Sequence, residues 1–93
     1  MAVYYICSKE VETKKGDRLV AFLMCRDGYG SPVIRSFWLE SDSDFAETFR
    51  NLMPGVAVRC QTEFGNERNL AFIEEQPDLP ILDLTAFLDT EIH

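Results

Sequence analysis

Six cations, Lys14, Lys15, Arg18, Arg26, Arg59 and Arg68, are spread along the first seventy residues of this chain, with two aromatic rings, Tyr29 and Trp38, among them. Cations track phosphates, and exposed rings accept stacked bases at about 1–3 kcal/mol per base. The mixture therefore points to single-stranded nucleic acid held without sequence preference. Tyr29 stands between Gly28 and Gly30, which lets it project from a loop tip, and Tyr5 is a further candidate ring. Arg35 alternates in phase with Phe37 and Leu39, which makes it the weakest of the candidate cations. Roughly three to five usable cations imply modest, salt-sensitive affinity for one subunit. A homodimer or an array along the strand is expected to strengthen it.

Charge opposes this reading on average and supports it in distribution. The net charge is −7. Yet six acids and no Lys or Arg lie between Ile73 and His93, while residues 1–72 carry nine basic and ten acidic groups. The body is close to neutral and the carboxyl end is acidic, and such asymmetry is itself a signal.

Catalytic chemistry finds little to work with. The single histidine, His93, is the last residue, where chains fray. Glu40, Asp42, Asp44 and Glu47 cluster, but at a predicted helix N-terminus, where negative charge is favoured by the helix dipole. Cys7, Cys25 and Cys60 show no CxxC spacing and read as reduced, buried thiols of a cytoplasmic protein. No metal-ligand spacing or glycine-rich phosphate loop occurs. The expectation is a protein that is not an enzyme and needs no cofactor. No signal peptide is expected, and the longest apolar run, Leu19–Cys25, is too short to span a bilayer.

The elements that position these residues follow from hydrophobic period. Val3–Ser8, continuing toward Val11, reads as a first strand, and Lys14-Lys15-Gly16-Asp17 as a turn. The near-continuous run "RLVAFLMCR" (18–26) predicts a strand buried on both faces. After a glycine-rich turn, Val33–Glu40 alternates, with Trp38 opposite Phe37. The period then changes to 3.6: Phe45, Phe49 and Leu52 form one stripe, with Asp44 and Glu47 as a capping box and Pro54-Gly55 as the stop. Val56, Val58, Cys60, Thr62 and Phe64 share one face of a fourth strand, Gly65-Asn66 turns it, and Leu70–Glu74 returns. Pro77 and Pro80 begin a linker, and Leu84–Asp89 predicts a small terminal helix. The order β-β-β-α-β-β implies a mainly β chain with one or two short helices. It is that of a five-stranded OB-like barrel over residues 1–76, followed by an acidic, amphipathic extension over 77–93. A ferredoxin-like sheet and an open, dimerising sheet are the alternatives.

The stretches Phe37-Trp38-Leu39-Glu40-Ser41, Pro54-Gly55, Gly65-Asn66-Glu67-Arg68 and Leu70-Ala71-Phe72 give residues 18–75 a resemblance to the single-stranded DNA-binding (helix-destabilising) proteins of filamentous phages. That resemblance implies an OB-fold and a phage- or plasmid-type protein that coats single-stranded DNA. The extension has its own reading: Leu84, Phe87 and Leu88 lie on one side of an acidic segment that either docks a protein partner or packs back on the body. A second function is therefore open, a small acidic inhibitor, adaptor or regulator that acts on a partner protein, even as a DNA mimic.

Overall fold

The computed structural model describes residues 3–84. Phe87 and Leu88, and most of the predicted terminal helix, lie outside the described residues. Five strands and one helix occur in the expected order: β1 (Val3–Thr13), β2 (Gly16–Arg26), β3 (Pro32–Glu40), α1 (Asp44–Asn51), β4 (Ala57–Glu63) and β5 (Asn66–Glu75). All pairings are antiparallel, in one sheet of order β3-β2-β1-β4-β5. β1 pairs β2 from Tyr4–Met24 to Thr13–Gly16, with the register shifting at Ile6. Its junction with β4 is short, Val3–Val58 and Tyr4–Ala57. The sheet is not closed by a ladder. Its two edges, β3 and β5, nevertheless approach each other, and the Arg35 guanidinium on β3 donates to the Glu67 carbonyl on β5 at 3.2 Å.

One face of the curved sheet is the core. Leu19, Ala21 and Leu23 of β2, Phe37 and Leu39 of β3, Tyr5 of β1, Val58 of β4 and Leu70 of β5 bury there with Val56 and the helix residues Ala46 and Phe49. Phe49 is fully enclosed, its ring 5.8 Å from that of Tyr5. Tyr5 is thus a core residue whose hydroxyl donates to Ser8, not a stacking ring. β2 buries Val20 and Met24 on its other face too, as its unbroken apolar run requires.

The helix begins at the expected cap, Asp44, so its N-cap lies one residue earlier. Ser43 is the N-cap, its hydroxyl accepting from the Ala46 amide at 3.2 Å. Ser is as good a cap as Asp and fits where Asp44 has already turned helical. α1 stops at Asn51, three residues short of Pro54. The fourth strand differs at its far end. Alternation put Phe64 inward, but β4 ends at Glu63, and Phe64 with Gly65 (φ +79°) forms the turn, leaving the ring fully exposed. A turn releases a side chain from the strand's two-residue period.

Beyond β5 the chain does not leave the body at once. The Gln76 amide donates to Ala57, Leu79 closes a turn onto Gln76, and the Leu82 amide donates to the Gly55 carbonyl at 2.8 Å. Gly55 in turn donates to Tyr5. We call residues 77–82 the strap.

Candidate nucleic-acid interface

The eight residues expected to contact nucleic acid fall into four places. Trp38 and Arg68 come together. Trp38 projects from the outer face of β3 with 58% of its surface exposed, and Arg68 stands across the open seam on β5. Ser36 and Asn69 complete the walls of the groove between them. Alternation dictates this on β3: with Phe37 and Leu39 buried, Ser36 and Trp38 must face out.

Arg26 and Tyr29 hold the turn between β2 and β3. Asp27 accepts from the Tyr29 and Ser31 amides, an Asx turn that fixes the tip, and Arg26 donates to the Gly30 carbonyl at 2.7 Å. Tyr29 itself is 96% exposed. The β4–β5 turn lies at the same end of the sheet, the end where β1 begins, so Phe64 and Tyr29 crown neighbouring hairpins.

Lys14, Lys15 and Arg18 sit at the opposite end, in and after the β1–β2 turn. There Lys15 and Arg18 line a groove with Asp17, Glu40 and Asp42, so the cations share this groove with acids. Arg59 is also matched: it lies 5.2 Å over the Phe72 ring and 3.7 Å from the Glu74 carboxylate. The eight residues thus lie on one seam, one loop and two sites with acids nearby, of which Arg59 alone makes an ion pair among the described residues. Cross-strand pairing, not spacing in the chain, sets Glu40 opposite Arg18 and Glu74 opposite Arg59.

Sequence reasoning missed Ser36, Asn69 and Phe64. The first two carry no charge or ring and become notable only when β3 and β5 meet. Arg35, set aside because it shares the face of Phe37, packs 5.6 Å over that ring at the sheet edge and bridges the seam.

The thiols are less buried than expected: Cys7 is exposed, because it faces away from the core side of β1, and Cys25 and Cys60 are half-buried. Burial pushes the Cys60 thiol up, against the opposing pull of Arg35, so it stays protonated at neutral pH. Among the described residues no group of three or more His, Cys, Asp or Glu side chains is placed to hold a metal ion, and no helix is long and apolar enough to cross a membrane. No family model matches the chain, and no curated protein or solved structure matches it significantly.

Proposed function

We propose that this protein binds single-stranded nucleic acid without sequence preference, with the β3–β5 seam as the centre of its site. The observation that carries the reading is Trp38, a large ring left 58% exposed in a groove that Arg68 also lines. Burying Trp is strongly favourable, so a half-exposed Trp that shares a groove with a cation is what base stacking and phosphate contact require together. Ser36 adds a hydroxyl that bonds base or sugar edges of any sequence, while the Asn69 amide is held by the Glu63 carboxylate at 3.3 Å and leaves its carbonyl oxygen to accept. Tyr29, Phe64 and Arg26 extend the surface toward the hairpin end.

The fold is read as an OB-like barrel whose last seam is unzipped. The helix between β3 and β4 and the approach of β3 to β5 support this, and OB barrels present their third strand to nucleic acid. The resemblance to filamentous-phage DNA-binding proteins agrees with it. With Arg59 paired to Glu74 and Glu40 set opposite Arg18, few unopposed cations remain per subunit, so function rests on self-association along the strand.

Fluorescence anisotropy with labelled oligo-dT at two salt concentrations tests the proposal. Binding at low salt that weakens as salt rises is expected. Trp38→Ala should weaken it by about ten-fold or more, the worth of one stacked base. Arg68→Ala should weaken binding to all sequences alike and lower the salt slope by about one. No anisotropy change at low salt with micromolar wild-type protein would defeat it.

A further inference from the structure

Away from the seam, the strap presents a second exposed apolar surface with the opposite electrostatic setting. Met53, Leu79 and Ile81 are 68%, 39% and 64% exposed. The hydrogen bond from Leu82 to Gly55 brings Ile81 against Gly55, two residues after Met53, and Leu79 lies two residues before Ile81 in the same tied segment. Their exposure is not that of a loose tail. The backbone beneath them is tied at Gln76, Leu79 and Leu82, and three prolines, Pro54, Pro77 and Pro80, stiffen it. A preorganised apolar surface loses little entropy on binding, and exposed apolar clusters of this kind mark interaction sites.

What could cover it is narrowed by charge. No Lys or Arg occurs after Arg68, and Glu75 and Asp78 flank the strap. Arg50, at the end of α1, is spent on Glu10, Ser41 and Glu47. A second copy docking through the same surface would set acids against acids. Strand addition is blocked as well, because the prolines remove amide donors from the strap. An anionic lipid or nucleic-acid surface meets the same repulsion. A basic protein segment meets none of these obstacles.

We propose that the strap surface is a docking site for a basic segment of a partner protein, in which Lys or Arg side chains face Glu75 and Asp78 and one or two bulky apolar side chains pack on Met53, Leu79 and Ile81. It lies apart from the seam and does not depend on nucleic-acid binding.

The test is an amide chemical-shift titration of the full chain with a short synthetic peptide alternating Lys and Leu, alongside the same peptide with Glu in place of Lys. Shift changes concentrated in residues 53–55 and 75–82, seen with the Lys peptide alone and diminished by salt, are the expected result. Met53→Ser/Ile81→Ser and, separately, Asp78→Lys should each weaken binding by about five-fold or more. Both alter exposed side chains, and an otherwise unchanged spectrum verifies the fold. Trp38→Ala should leave the titration unaltered, which separates this site from the seam. No shifts with the Lys peptide, equal response to the Glu peptide, or shifts centred on the acids around Asp17 and Asp42 would overturn the proposal.

Discussion

Along the seam, the exposed groups are a ring and a guanidinium with two neutral polar neighbours; along the strap, they are Met53, Leu79 and Ile81 beside Glu75 and Asp78. Both regions arise where a ladder stops short. At the seam, β3 and β5 approach without pairing, bridged by Arg35 to Glu67. At the strap, the chain after β5 leaves β4 at Gln76–Ala57 and rejoins the body at Leu82–Gly55. The difference lies in what the sequence puts at each break. It has nine cations before Asn69 and none after it, so a break early in the chain can be cationic and one late in it cannot. Segregation of charge along the chain becomes segregation between two surfaces, although the acids around Lys15 and Arg18 blur it at the helix end.

The largest test removes what both regions share. Phe49 is enclosed among core residues from the sheet and touches the Tyr5 ring. Phe49→Ala should cost about 3–5 kcal/mol, measured by urea unfolding. Both oligonucleotide and peptide binding should fall together, in proportion to the unfolded fraction. Loss of one alone would show that the two surfaces do not rest on a common core.

Gly55 separates the regions. Its φ of +91° is a backbone conformation that L side chains rarely adopt, and a Cβ there would strike the Leu82 carbonyl and the Ile81 side chain. Gly55→Ala should destabilise by about 2–4 kcal/mol, strain and clash combined. Its particular signature is loss of hydrogen-exchange protection at the Leu82 amide. Peptide docking on the strap should weaken while oligonucleotide binding by the remaining folded protein persists. Gly28→Ala, where a Cβ meets nothing within 4 Å, is the contrast and should fall within about 0.5 kcal/mol of wild type.

How legible these regions were in the sequence differs for physical reasons. The strands and the helix stood out because burial imposes a period: Phe37 and Leu39 inward and Trp38 outward follow from alternation, and the Phe45–Phe49–Leu52 stripe from 3.6 residues per turn. Pairing carries no such mark. Nothing local to Arg59 announces Glu74 across the ladder, and nothing near Trp38 announces Arg68 thirty residues on. Phe64 shows the limit of periodicity itself, since one residue past the strand end the rule that would bury it no longer holds. The strap was least legible. Its two prolines announced a break, but its return to the body depends on one glycine carbonyl.

Exchange of function between the surfaces gives a finer comparison. Trp38→Ala should weaken oligonucleotide binding by about 1–3 kcal/mol and leave the basic peptide's affinity alone. Met53→Ser/Ile81→Ser should do the reverse. Coupling in either direction, measured by titrating one ligand in the presence of the other, would mean that the surfaces communicate through β4 and β5.

The smallest expected effect concerns the clamp that occupies Arg50. Its guanidinium donates to the Glu10 carboxylate at 2.7 and 3.2 Å and to Ser41, whose hydroxyl also donates to Glu10. The bonds from Arg50, then from Ser41, hold the Glu10 carboxyl below its ordinary value. Because the folded-state pKa is depressed, the clamp contributes stability at pH above the ordinary glutamate range, and that contribution is lost as pH falls through it toward the lowered value. Glu10 is open to solvent, so the effect is small and salt-sensitive. Glu10→Gln should flatten the acid limb of the stability–pH curve slightly, seen by urea midpoints across the acid range, with little change in denaturant slope. An unchanged acid limb would show that solvent already screens the pair fully.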